Sequence, residues 1–125
     1  MSREPTEIVE ALWHRIWIES DLTALDDLVA DPYIRHTRDG TLRQTPAEYA
    51  DVISGAVDVI RGTRVQIDAL DALGDTVWAR MTLHAVNIGV GDEVRITWLG
   101  QYRIADDRIA ESWVLHEAGL DWSKG

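Results

Sequence analysis

Apolar residues recur every three or four positions in the first half of the chain and switch to alternation from Gly62 onward, so the pattern predicts helices followed by strands. From about Glu4 to Glu19, Val9, Leu12, Trp13, Ile16 and Trp17 fall on one helical face, and Pro5 suits the first turn. Ser20 or Asp21 can cap a second, shorter helix that buries Leu22, Leu25, Leu28 and Val29. Asp31-Pro32 should end it, because the residue before a proline is pushed out of the α region. A short extended piece, Tyr33 to His36, runs into the turn residues Asp39-Gly40. Thr45-Pro46-Ala47-Glu48 is a helix start with a Thr cap, Pro at the first helical position and Glu placed to return the capping bond. Tyr49, Val52, Ile53, Ala56, Val57 and Ile60 form the apolar stripe of this third helix.

Alternation then marks strands at Arg64 to Leu73, Thr76 to Ile88, Glu93 to Ala105 and Arg108 to about Glu117. Gly74-Asp75, the glycine-rich Gly89 to Asp92 and Asp106-Asp107 are the turns. Helices followed by a meander with short connections predict an α+β domain with an antiparallel sheet, single over residues 1–125. Strict alternation places Val77, Ala79, Met81, Leu83 and Ala85 inside, with Ile96, Trp98, Gly100, Tyr102 and Ile104. On the last strand it adds Ile109, Glu111, Trp113, Leu115 and Glu117. The opposite face, with Trp78, Arg80, Thr82, His84, Arg95, Thr97, Gln101 and Arg103, is polar yet holds a Trp, which suits a dimer interface.

Composition narrows the chemistry. The chain of 125 residues has no cysteine, so thiolate nucleophiles, disulfides and Cys-based metal sites are excluded. A net charge of −10 disfavours nucleic acid and anionic membranes as partners. No apolar run is long enough to span a bilayer, and no apolar core follows Arg3, so the expected compartment is the cytoplasm. Six Trp and no Phe are the unusual feature. Trp is seldom spent on open surface, so several of these rings are expected to line a cavity for a small apolar molecule.

Several strings together resemble the nuclear transport factor 2-like superfamily, and within it the SnoaL-like group of polyketide cyclases and ketosteroid isomerase-like proteins. They are the first helix with Leu22-Thr23-Ala24-Leu25 leading to Tyr33-x-x-His36, the Gly74-Asp75 turn before Val77-x-x-Arg80-x-Thr82, and Asp106-Asp107 before Ile109-x-Glu111-x-Trp113. The resemblance implies a cone-shaped α+β half-barrel in which three N-terminal helices close over a curved antiparallel sheet. It also implies a deep pocket and a homodimer through the sheet.

Several residues are candidates for chemistry there. His36 falls where ketosteroid isomerase has its general-base carboxylate, and imidazole titrates near neutral pH; the alternative is a structural or loop-exposed His. Glu111 sits on the apolar face by alternation, where burial would raise its pKa. Alternatively it is structural, paired with Arg80 or Arg103 if a bulge changes the register. Tyr102 can donate to a developing enolate oxygen or simply be core. Of His116 and Glu117, at the end of the last strand, alternation near Trp113 leaves open which faces inward. Trp13, Trp17, Tyr33, Tyr49, Met81, Trp98 and Trp113 are expected as pocket wall, Trp78 in a dimer face, and Trp122 is unplaced. His84 belongs to the outer face and His14 to the surface. No metal-ligand spacing or cofactor motif is present.

The leading expectation is a cofactor-independent isomerase, cyclase or dehydratase with His36 as base and Tyr102 and a protonated Glu111 holding the oxyanion. The others are a non-catalytic binding or dimeric accessory domain and an epoxide hydrolase-like enzyme. Val114 and Leu115 after Trp113 depart from the acids that cyclases and limonene epoxide hydrolase carry there.

Overall fold

The protein, described here by a computed structural model over residues 3–119, is three helices packed on one curved, six-stranded sheet. The first helix, α1 (Pro5–Trp13), buries Ile8, Val9, Leu12 and Trp13 and runs on as a single π-helical turn, His14–Ile18. The wider turn closes with the Glu19 N–H donating to the His14 carbonyl at 3.0 Å. It changes the helical phase so that Ile16 is buried and Trp17 is half-buried against the sheet. After a 3-10 turn, α2 (Leu25–Leu28) is only one turn long. Val29, expected on its buried side, instead starts β1 (Val29–Thr37). Asp31-Pro32, a cis peptide, therefore lies inside a strand rather than ending a helix.

β1 turns at Asp39-Gly40 into β2 (Gly40–Gln44), a strand the alternation did not reveal because all but one of its residues are exposed. α3 (Pro46–Val57) follows with the expected capping box. The Glu48 N–H donates to Thr45 Oγ1 at 3.1 Å, and the Thr45 N–H to Glu48 Oε1 at 2.9 Å. The meander is β3 (Ile60–Leu73), β4 (Thr76–Asn87), β5 (Glu93–Ala105) and β6 (Arg108–Ala118).

Strand order is β2-β1-β6-β5-β4-β3, and β1 lies parallel to β6. The sheet is therefore mixed, not purely antiparallel. A parallel partner cannot be joined by a short turn; here the chain between the two strands holds β2, α3 and the rest of the meander.

The core fills the space between the helices and the inner face of the sheet, and Met81, Leu83, Val77 and Ile109 are fully buried there. The inner and outer sets of β4 and β5 are those alternation predicts. On β6 they are not. Ile104 pairs with Ile109, but the next pair is Arg103 with Glu111, so Ala110 is an extra residue. Ile109 and Ala110 are both buried. Beyond this bulge Ser112, Val114 and His116 share the inner side with Tyr102, Gly100 and Trp98, whereas Glu111, Trp113, Leu115 and Glu117 take the opposite parity. A single inserted residue thus reverses the expected facing of the rest of the strand. Among the described residues no helix is long and apolar enough to cross a membrane. Trp122 lies outside the described residues.

Candidate active site

A cavity of about 690 Å³ opens between α1, α3 and the inner face of the sheet. Its wall is aromatic. Trp17, aimed by the π turn, packs on Trp98 with ring centroids 5.6 Å apart. Trp13 meets Tyr102 edge-on at 6.3 Å, and Tyr33 meets Tyr49 edge-on at 5.1 Å. All six rings line the cavity. Such walls favour a flat, largely apolar ligand. A second hollow, about 670 Å³, lies at Pro46 and Val29 with Asp26, Asp31 and Asp106 around it. It has no aromatic wall, so the first cavity is the better site.

Polar groups enter the aromatic cavity at two levels. At one, a row crosses three strands: Tyr102 pairs with Ser112, and Ser112 with Arg35. The Tyr33 hydroxyl donates to Ser112 Oγ at 2.8 Å. Burial pushes the Tyr33, Tyr49 and Tyr102 hydroxyls up in pKa, so each stays protonated and available as a donor. Arg35 lies over the Tyr49 ring, 4.6 Å from its centroid, and donates through Nη1 to Gln44 Oε1 at 2.9 Å. At the other level His116 stacks on Trp98, centroids 5.5 Å apart, near the exposed Glu117 and Asp39 of the mouth. Ser112 and His116 are four residues apart, about 13 Å along a strand. Arg35 and Ser112 were not anticipated as site residues. Arg35 shares the parity of Tyr33 and was legible in principle; Ser112 was hidden by the bulge.

Several expected site residues are elsewhere. Met81, opposite Trp98 in the β4–β5 pairing, is fully buried in the core and does not line the cavity. Trp113 is on the outer face, where it stacks on His36 at 5.0 Å and is 39% exposed. His36 borders the cavity, but its ring is committed. Nε2 lies 2.6 Å from Glu111 Oε2 and Nδ1 2.9 Å from Thr41 Oγ1. Glu111 takes a second bond from Arg103 Nε at 3.2 Å. The carboxyl therefore lies outside the cavity, with its pKa held below the usual carboxylate range by the bond from His36 first and by Arg103 as well. This rules out a protonated Glu111 donating to an oxyanion, and it matches the alternative in which a bulge pairs Glu111 with Arg103.

Because the folded pKa is depressed, the stability that Glu111 contributes is present above its ordinary value of 4.5 and fades as pH falls through the lower folded value. Glu111→Gln is expected to cost about 1 kcal/mol at neutral pH, a charge-assisted network discounted for partial solvent exposure. Urea midpoints of the two proteins should converge on acidification below pH 4.5; a gap that stays constant would show that the ionised pair contributes nothing. Among the described residues no group of His, Asp and Glu is placed to hold a metal ion.

Solved structures share this architecture. A proposed isomerase from Rhodopseudomonas palustris superposes with a TM-score of 0.80 at 12% identity, covering 94% of this chain and 92% of its own. IdmH from Streptomyces antibioticus, a proposed polyketide cyclase, gives 0.75 at 18% identity over 92% and 93% of the chains. An LEH-like epoxide hydrolase from M. tuberculosis gives 0.72 at 17% over 90% and 82%. These identities carry the cone-shaped nuclear transport factor 2-like fold and nothing finer. No curated protein matches the sequence significantly. The profile of the SnoaL-like domain matches residues 9–112, from α1 into β6 and across every element that builds the cavity. With the fold, the helix order and the sequence profile in agreement, this chain belongs to the SnoaL-like domain family.

Proposed function

We propose that the protein is a cofactor-independent enzyme that moves a proton on a small, ring-containing, largely apolar substrate, as an isomerase, cyclase or dehydratase does. The observation that carries this is a single aromatic cavity faced by both an imidazole, His116, and a row of protonated hydroxyls, Tyr102 and Tyr33 with Ser112. His116 replaces His36 as the base, because it lines the cavity without a carboxylate partner among the described residues. Tyr102 donates to the substrate oxygen as negative charge develops there. The separation of the two levels suits a substrate whose oxygen and exchangeable C–H are linked by conjugation. The structural neighbours described as isomerase and cyclase are consistent with such chemistry on this fold.

The test is proton exchange in D2O, followed by NMR, with a panel of conjugated ring ketones. Accelerated exchange of one C–H, lost in His116→Phe, is the expected result. Saturable binding without exchange would instead favour the second reading, a non-catalytic ligand-binding domain. One observation supports that rival: Val114 stands at the inner position after Trp113, and the deep wall holds no carboxylate among the described residues. The same absence removes the group that would activate water for epoxide opening, so that reaction is not proposed.

The reading includes a homodimer through the outer face of the sheet. There Trp78, Leu99, Trp113 and Leu115 are 46%, 52%, 39% and 60% exposed on neighbouring strands, and Leu99 pairs with Leu115. An apolar patch framed by Arg80, Gln101 and Arg103 is the composition of an interface core with a polar rim. Sedimentation velocity should show a dimer that Leu99→Lys converts to monomer; a monomeric parent protein would overturn this part.

A further inference from the structure

The row of oxygen-binding groups contains a charge that the proposed chemistry does not itself require. Arg35 is half-buried in the aromatic cavity without a counter-ion: no carboxylate among the described residues lies within ion-pair distance, and its hydrogen bond goes to the neutral Gln44. Three arginines elsewhere are neutralised by carboxylates. Arg3 is bound by Asp27 and Asp107, Arg15 by Asp21 and Glu19, and Arg103 by Glu111. The chain carries a net charge of −10 and places Asp39 and Glu117 at the mouth of this cavity, yet among the described residues no carboxylate pairs with Arg35.

Holding a cation in an aromatic site has a desolvation cost that the Tyr49 ring face and one amide oxygen offset only in part. The missing partner has to be a strong acceptor, and a guanidinium fork matches the two oxygens of a carboxylate. The surroundings fit that shape. The guanidinium sits over the Tyr49 ring, the rest of the fork has no protein partner among the described residues, and Ser112, bonded to the Tyr33 hydroxyl, stands directly opposite Arg35 in the β1 and β6 pairing.

We infer that the ligand of this cavity is a planar apolar acid, bound as its anion with the carboxylate or an equally acidic enolate oxygen on Arg35. This inference rests on the cavity being the functional site and specifies what enters it. The anionic end sits at the Arg35–Ser112–Tyr102 row, and the ring body runs along Trp13, Trp17 and Trp98 toward His116.

Calorimetric titration of the full chain with a naphthalene carboxylate and with its neutral carboxamide tests this. Both compounds present the same ring system, so only the charge differs. The carboxylate is expected to bind about tenfold more tightly than the carboxamide. That preference should vanish in Arg35→Gln, with carboxamide affinity kept, and return in part in Arg35→Lys. Equal binding of the two compounds to the parent protein, or a preference that survives in Arg35→Gln, would overturn the inference while leaving the cavity as a binding site. If neither compound binds, the cavity reading fails and the inference falls with it. The comparison on the parent protein needs no variant, so it stands even if a substitution at Arg35 disturbs folding.

Discussion

Phenylalanine in place of His116 is expected to lower kcat by about a hundredfold or more on the substrate found by proton exchange, with KM changed only a few-fold. The magnitude is that of removing a positioned general acid or base. The split between kcat and KM follows from geometry. His116 contributes to the wall through its ring, stacked on Trp98, and Phe preserves that flat surface while deleting the proton-carrying nitrogens. In contrast, His36→Gln should leave turnover within a few-fold. His36 borders the cavity, but its ring is spent on Glu111, Thr41 and Trp113, so its loss removes mainly these contacts. If His36→Gln abolished turnover and His116→Phe did not, the assignment of the base would be reversed, and with it the facing of this end of the site.

Alanine in place of Gly62 should be the most damaging single methyl in the protein, with a loss of about 3 kcal/mol or more in urea unfolding followed by Trp fluorescence. Gly62 is buried on β3 against the π turn, and a Cβ there would stand 3.0 Å from the Trp17 carbonyl carbon and 3.1 Å from Leu83 Cδ1, closer still to the Trp17 carbonyl oxygen. The obstacle is backbone, which cannot rotate aside as a side chain can. Relief would require the π turn to retreat, and Trp17 would then lift from Trp98 and open the cavity wall. Gly55→Ala is the matched control. A Cβ on that exposed glycine of α3 meets nothing within 4 Å, and the change should stabilise the helix by about 0.5–1 kcal/mol. A Gly62→Ala protein as stable as the parent would show that the close approach of helix and sheet is not enforced.

Much of the architecture was written in local pattern. The Thr45-Pro46-Ala47-Glu48 start of α3 was legible because each partner in the capping box lies within one turn. The limits of β5 were legible because alternation and the flanking turns agree. The ring residues of the cavity, Trp13, Trp17, Tyr33, Tyr49 and Trp98, could be named because large aromatics on an apolar face have few other places to go. The exposed β2 and the parallel docking of β1 on β6 were not legible, since neither carries an apolar rhythm or a short connection that declares its partner.

The candidate chemistry turned on one residue. Alternation is a counting argument, and it holds along β6 only as far as Ile109. Ala110 is small and apolar, so nothing in its identity announces that two successive residues will both be buried. From that bulge onward Glu111 and Trp113 pass to the outer face, and Ser112 and His116 come into the cavity. The sequence by itself determined that this chain builds helices over a sheet with an aromatic interior, because hydrophobic period and turn chemistry are properties of neighbouring residues. Only the tertiary structure decided which imidazole stacks on Trp98 in the cavity and that Arg35 lines it with no carboxylate in ion-pair distance among the described residues, because those depend on strand register and on partners distant in the chain.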